Sequence, residues 1–331
     1  PHSAVRTQLV HQPSTTPEPP LHRALDRLTA ALLFTALLFT PWAFGTTEEW
    51  SIWFMNELGY AVGLVLVGKW LIRLKTGWCP VRWNDVTATQ SPRLALWVIR
   101  SLAGLTLLLF AYFVISALNA RASYWSSIAE FEYYPCLGWL PHSYNRPATW
   151  GYLCGYVALA MFFWGLRDYL LIKTPEDLAD SASKYRLPHR LRLLLWVLCL
   201  NGGLLALESM LQRATTNKLL WIAEPLINKS SPGQLGPYAY RSNGAQFLNL
   251  IWPVAVGFWW VLRRRAARHR SEPDKTHHVL LGCALAMVLA VLFSLSRGAI
   301  ITEVFCLLLL VPALLVSTRR KGGQLKWYLA I

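Results

Sequence analysis

The chain has 331 residues, of which 54% are hydrophobic and only 15% charged, with 17 tryptophans and a formal net charge of +15. A soluble domain carries about 25% charged residues, so this composition, with its long apolar runs, excludes an ordinary soluble enzyme and indicates a polytopic membrane protein. The positive charge is not the footprint of a nucleic-acid binder, because the basic residues stand between apolar runs and form no groove-sized patch.

Residues 1–22 contain Pro13, Pro17, Pro19 and Pro20 and little that is apolar, which predicts a disordered tail. Residues 23–331 read as one transmembrane helical domain. Apolar segments follow at roughly 28–44, 58–72, 95–118, 149–166, 193–211, 245–262, 279–295 and 299–316. Most approach the ~20 residues that a spanning helix needs. The expected fold is therefore an all-α polytopic helix bundle of about eight spans, with irregular outer loops and a ninth span beginning at Trp327. The second segment is the weakest, being short and holding Gly59, Gly63 and Gly68, although glycine is tolerated where helices pack closely in lipid. The first run is long enough to serve as an uncleaved signal anchor. A chain that starts at Pro1 without methionine and stops as a new apolar run begins reads as the N-terminal part of a longer protein.

Lys and Arg accumulate on the cytoplasmic side of membrane proteins. Sorting the 32 basic residues by loop puts 25 on the side of the N-terminus and 7 on the other, and the alternation holds at every loop. The outer seven are Arg121, Arg146, Arg213, Lys218, Lys229, Arg241 and Arg297, balanced by Glu48, Glu49, Glu57, Glu130, Glu132, Glu208 and Glu224. Both ends of the chain are accordingly expected in the cytoplasm. On a nearly neutral outer face, arginines at helix mouths are informative by position.

Three outer loops follow from this topology. Residues 46–53 are short and acidic, with Trp50 and Trp53 suited to anchoring at the interface. Residues 119–147 are rich in aromatics; 123–131 suit an amphipathic turn lying flat on the membrane, and the aromatics fit either an interfacial belt or sugar stacking. This loop holds His142, the one outer histidine, a candidate base, although a lone loop histidine is more often an ordinary hydrogen-bonding residue. Residues 212–243 alternate a short apolar run with turn residues, suggesting a hairpin or cap over the outer mouth. The inner loops, among them the basic knot at 263–275, hold no P-loop, nucleotide fingerprint or paired carboxylates. The six cysteines, Cys79, Cys136, Cys154, Cys199, Cys283 and Cys306, lack metal-ligand spacing and are expected to be small buried hydrophobes. No cofactor, metal or nucleotide is implied.

The chemistry concentrates at two outer mouths. Arg241, Ser242, Asn243, Gln246 and Asn249 occupy the first turns of the sixth span, and Arg297 stands at the start of the eighth, preceded by Ser294 and Ser296 as caps and followed by Gly298. Guanidinium groups stay charged and bind phosphate oxygens bidentately, so two of them suit a diphosphate, although each could instead snorkel to lipid phosphates. Glu303, two turns into the eighth span on the face of Ser296, and Glu208, near the outer end of the fifth, are intramembrane acids and hence functional candidates.

The stretch Tyr-Arg-Ser-Asn-Gly-Ala-Gln-Phe-Leu-Asn-Leu (240–250), followed by Ser-Leu-Ser-Arg-Gly-Ala (294–299), resembles the O-antigen ligase and O-antigen polymerase family, and Pro-Trp-Ala-Phe-Gly-Thr-Thr-Glu (41–48) is similar to the first outer loop of some members. These are bacterial inner-membrane glycosyltransferases that move a glycan from an undecaprenyl-diphosphate carrier, at the periplasmic face, onto a lipid or growing-glycan acceptor. The resemblance implies an all-helical bundle with periplasmic outer loops, a family-like core at about 190–331, and no nucleotide sugar. It implies further that Arg241 and Arg297 grip the carrier diphosphate, with Asn243, Asn249, Ser296 and Glu303 in support. Family members place a proposed catalytic histidine in a large periplasmic loop after further spans. That role is not transferred to His142, and the base is expected outside this chain. The partners implied are the undecaprenyl-diphosphate-linked glycan, its acceptor and membrane lipids. A flippase for a polyprenyl-linked glycan would need a similar grip, but such carriers show internal repeats and charges at the midplane, which are absent apart from Glu303. A scaffold without chemistry would leave the outer polar cluster unexplained.

Overall fold

The computed structural model describes residues 17–83, 92–179, 187–214, 234–266 and 276–319. In chain order these form α1 (Pro20–Trp42), a 3-10 turn (Phe44–Thr46), α2 (Glu49–Thr76), α3 (Pro92–Leu118), strands β1 (Ala122–Trp125) and β2 (Glu130–Tyr133), α4 (Arg146–Leu171), α5 (Pro175–Ala179), α6 (His189–Ala214), α7 (Arg241–Ala266), α8 (His277–Phe293) and α9 (Arg297–Arg319). The class is the expected all-α bundle. Among the described residues seven helices are long and apolar enough to cross a membrane: α1, α2, α3, α4, α6, α7 and α9. The seventh expected span, at 279–295, is a 17-residue apolar helix, α8, at the short end of the roughly 17–25 residues that cross hydrocarbon. The ninth, from Trp327, lies outside the described residues.

Other boundaries move too. Helix α1 starts at Pro20, so the last residues assigned to the tail form its first turn, and His22 is fully buried. Helix α2 starts at Glu49 and takes in Trp50 and Trp53, which the sequence places in an outer loop. The stretch expected to lie as an amphipathic turn is a two-stranded antiparallel hairpin, with Ala122 opposite Tyr133 and Trp125 opposite Glu130. Aromatics at every second position of β2, Phe131 and Tyr133, explain this, and Tyr124 of β1 faces Phe131 with ring centroids 4.9 Å apart. Outside the spans, Glu132 accepts from Tyr134 Oη at 2.6 Å and from Trp125 Nε1 at 3.1 Å, which holds its carboxyl below the usual carboxylate range.

The chain divides into two compact units, 1–36 with 49–192, and 37–48 with 193–331. In the first, α2 and α4 pack along a glycine-lined seam: a β-carbon on Gly59 would come within 2.7 Å of the Ala158 carbonyl oxygen. Small residues let backbones approach where lipid supplies no hydrophobic drive. Leu33 of α1, Val62 of α2 and Tyr169 of α4 form the apolar centre. One end of this unit is tied by ion pairs. Lys69, fully buried near the end of α2, lies 2.7 Å from Asp26 Oδ1 in α1 and 3.0 Å from Asp168 Oδ2 in α4. Arg73 grips both oxygens of Asp168 at 2.8 and 2.9 Å, Arg82 adds a third bond at 3.0 Å, and Arg190 at the start of α6 bonds both Asp26 and the Tyr169 carbonyl. The starts of α1 and α6 thus meet the ends of α2 and α4, as alternating spans require.

In the second unit α6, α7 and α8 form the interior, where a β-carbon on Gly203 of α6 would lie 2.7 Å from Cys283 Sγ of α8. Asn201, buried in α6, accepts from Trp42 Nε1 at 2.7 Å and donates to the Leu37 carbonyl at 3.1 Å, securing the end of α1. Helix α9 packs against α7 and α8.

Candidate functional site

The approach to α7 is built around Gly236. Its backbone sits at φ +57°, and a β-carbon there would lie 2.7 Å from Glu208 Oε2, so only glycine fits. Gln212 near the end of α6 clamps it from both sides, its Oε1 accepting the Gly236 N–H at 2.6 Å and its Nε2 donating to the Gly236 carbonyl at 3.2 Å. Leu235 and Tyr238 then exchange backbone hydrogen bonds across a tight turn. The Tyr238 ring is wedged between Gly45 and Gly244; a β-carbon on either would come within 2.9 Å and 3.1 Å of ring atoms respectively. Burial pushes its hydroxyl well above the usual tyrosine range. The two stretches 41–48 and 240–250, far apart in the chain, therefore meet at Tyr238 within one unit, and the chain enters α7 at Arg241, which is half-buried.

The reversal between α8 and α9 is three residues long. Ser294 Oγ donates to the Val291 carbonyl at 2.6 Å and accepts the Ser296 N–H at 3.2 Å, while Leu295 takes a left-handed conformation at φ +53°. Bulky residues seldom adopt that conformation, and such strain persists only where surrounding contacts impose it. The reversal leaves Arg297 exposed as the first residue of α9.

A third arginine, not selected from the sequence, links these two mouths. Arg213, in the last turn of α6, donates to the Ser294 carbonyl at 3.3 Å and the Gln234 carbonyl at 3.4 Å, and its guanidinium is within electrostatic reach of Arg241. Its Nε is buried without a partner among the described residues. No salt bridge to Arg213, Arg241 or Arg297 is formed among the described residues. Two guanidinium groups within electrostatic reach of each other and without a carboxylate repel each other, and an anion of two or more oxygens is a partner that a guanidinium fork matches. The signal in the sequence was Arg213's membership of the outer seven.

The remaining candidates separate. Asn249 is buried, donating to the Ala299 carbonyl at 2.8 Å and accepting from Trp252 Nε1 at 3.1 Å, so it fastens the first turn of α9 to α7 and thereby positions Arg297. Ser296 is buried, and its carbonyl accepts from Ile300 at 3.0 Å to open α9. Asn243 and Gln246 are exposed. Glu303 is buried, one turn beyond Ala299 on the same helix face, with neither carboxylate oxygen hydrogen-bonded among the described residues. Glu208 is buried beside Gly236, its Oε2 similarly unpartnered. His142 stands in the first unit, exposed, with Nδ1 3.2 Å from the Leu140 carbonyl oxygen. The hairpin or cap expected at 218–223 lies outside the described residues. No group of three or more metal-ligating side chains occurs among the described residues.

Seven long apolar helices with charged groups gathered at their ends define a multi-pass membrane protein. No family model matches the chain, and no curated protein and no solved structure is significantly similar to it.

Proposed function

We propose that this chain takes part in transferring a glycan from an undecaprenyl-diphosphate carrier to a lipid or glycan acceptor at the outer face of a bacterial inner membrane, in the manner of an O-antigen ligase. The observation that carries the reading is the Arg213–Arg241 pair, without a carboxylate, at the end of the second unit where the stretches resembling that family come together. On this reading Arg241 and Arg297 grip the diphosphate, and Arg213, bonded to the backbone just ahead of Arg297, sets their spacing. Transfer turns the diphosphate into the leaving group, so fixed guanidiniums stabilise the charge that develops on its oxygens as the glycosidic bond breaks. At about 4 Å and an effective dielectric near 20, one such contact is worth roughly 4 kcal/mol, ample for a thousandfold rate effect if realised in the transition state.

The test is complementation of a strain lacking the protein. Arg241→Ala and Arg297→Ala should each abolish transfer at normal membrane levels of protein, and Arg→Lys should restore part of it, since lysine keeps the charge but loses the fork. Loss of attachment with carrier-linked polymer accumulating identifies a ligase; loss of long chains with single units still attached identifies a polymerase. Normal surface glycans with both alanine variants would sink the diphosphate grip.

A further inference from the structure

Helix α9 turns an acid inward and its apolar side chains outward. Among its described side chains only Ala299 and Glu303 are buried, whereas Ile301, Val304, Phe305 and Leu308 are between 49% and 70% exposed. Hydrocarbon accepts an apolar outer surface and makes a carboxylate facing lipid costly, so the inward turn of Glu303 follows. Both oxygens of the carboxyl group are buried, and neither has a hydrogen-bond partner among the described residues. Buried polar atoms of folded proteins are nearly always satisfied, so a carboxyl group with two unsatisfied oxygens points to a ligand.

The surroundings narrow what that ligand is. Glu303 lies one turn beyond Ala299, whose carbonyl accepts from Asn249 Nδ2 of α7 at 2.8 Å, so this face of α9 is set against α7. Helix α9 packs on α7 and α8. Between Arg241 and Arg263 α7 holds no charged residue, and α8 holds none after His277 and His278 at its start, Cys283 being the one titratable group beyond them. On α9 itself no other charged residue stands between Arg297, which is exposed, and Arg319, and Cys306 is the remaining titratable group. Arg213 of α6 meets the reversal that precedes α9, but its Nη2 is directed at the Gln234 and Ser294 carbonyls. The described residues therefore supply Glu303 with no counter-cation. A metal ion needs several oxygen ligands at once, yet no group of three or more metal-ligating side chains occurs among the described residues, and the Asn249 side chain is engaged at both ends.

We propose that Glu303 is a proton-binding site inside the second unit, its carboxyl group taking a hydrogen ion where other buried acids take a cationic side chain. An isolated ionised carboxylate is costly away from water, and one bound proton removes that cost without any further ligand. Intramembrane acids mark proton pathways, and this one stands a turn below the Asn249–Ala299 bond that positions Arg297. The proton can leave only when water or a base reaches the contact between α7 and α9, so its release is tied to the opening of that contact. Glu303 holds its proton whether or not the chain transfers a glycan.

A protonated carboxyl group in an apolar setting reacts with a hydrophobic carbodiimide. Its proton passes to a carbodiimide nitrogen, its oxygen bonds the central carbon, and the resulting O-acylisourea rearranges to a stable N-acylurea with no atom lost. The experiment treats the full chain, purified in a neutral detergent, with dicyclohexylcarbodiimide and maps the adduct by peptide mass spectrometry. Wild type should be labelled at Glu303, and Glu303→Gln should carry no adduct on that peptide. Once the pH passes the point at which the site is half empty, labelling should fall about tenfold per pH unit, the slope of a single proton. Glu130, exposed on β2, should stay unlabelled by the hydrophobic reagent throughout. Absence of the adduct at Glu303, or labelling of Glu130 to the same extent, would overturn the site. Protection by sodium chloride but not by choline chloride at matched ionic strength would make the ligand a metal cation and overturn the proton assignment. Melting temperature gives a reading that needs no reagent: Glu303→Gln, a neutral amide in place of a neutral carboxyl group, should melt no lower than wild type, and a strongly lowered value would mean that the group is ionised and answers a cation, which also overturns it.

Discussion

Each unit places two arginines within electrostatic reach of one another, and the two pairs differ in what lies beside them. Arg82 and Arg167 share a buried carboxylate, Asp168, which also takes bonds from Lys69 and Arg73. Arg213 and Arg241 have no carboxylate among the described residues, only the backbone carbonyls of Gln234 and Ser294 facing Arg213. The first arrangement ties α1, α2, α4 and α6 through their charged ends. In the second the helices are joined by other means, the Gln212 clamp and the Asn249 bond, and on the proposed reading the charge is left for a ligand. On that reading a charge that is part of the scaffold and a charge that serves a ligand are distinguished by partner type, even though both stand at helix ends.

Removing Asp168 should have the largest effect. Breaking a buried ion pair by deleting one partner leaves uncompensated charge and costs about 3–5 kcal/mol. Asp168→Ala strands three bonded cations, one of them fully buried. The expected outcome is a strong loss of folded protein in detergent, read by size-exclusion yield and melting temperature, whereas loss of less than about 1 kcal/mol would mean that the helix ends are held by packing alone.

The contrasting substitution lies in the second unit. Arg241 has no ion pair among the described residues and a like-charged neighbour, so Arg241→Gln should leave the melting temperature unchanged or raise it slightly, by at most about 1 kcal/mol of stability. On the proposed reading the same variant loses glycan transfer. Destabilisation as large as that of Asp168→Ala would place Arg241 in the scaffold.

How much of this contrast was legible in the sequence depends on the range of the interactions. The spans were legible because apolar runs of about 20 residues have few alternatives in lipid. The start of α2 was not, since Glu49, Asn56 and Glu57 scatter polarity through a segment that is nonetheless helical. The hairpin was readable in principle: Phe131 and Tyr133 alternate with Glu130 and Glu132, the period of two that marks a strand. The ion pairs were beyond reach. Charge sorting puts Asp26, Lys69, Asp168 and Arg190 on one side, but partners separated by up to 164 residues are chosen by packing. The apolar run at 193–211 stops short of Arg213, whereas α6 runs on to Ala214 and carries the arginine in its last turn.

The smallest effect expected is also the most direct measure of the second pair. If Arg213 and Arg241 repel each other in the empty protein, an anion seated between them relieves the repulsion, and any ligand that binds the folded state alone stabilises it by mass action. At its dissociation constant such a ligand contributes about 0.4 kcal/mol, a small rise in melting temperature. Inorganic diphosphate carries the charge and oxygen spacing of the carrier headgroup without its lipid or glycan, so it isolates the guanidinium contribution. Wild type should melt higher with diphosphate, more so than with sulfate at matched ionic strength, and Arg241→Gln should lose the difference. Asn249→Ala, which frees the first turn of α9 from α7, should weaken the shift without removing it, because Arg213 and Arg241 remain in place while Arg297 loses its support. An equal response to sulfate would reduce the pair to general anion attraction, and a shift that survives Arg241→Gln would move the anion to other residues.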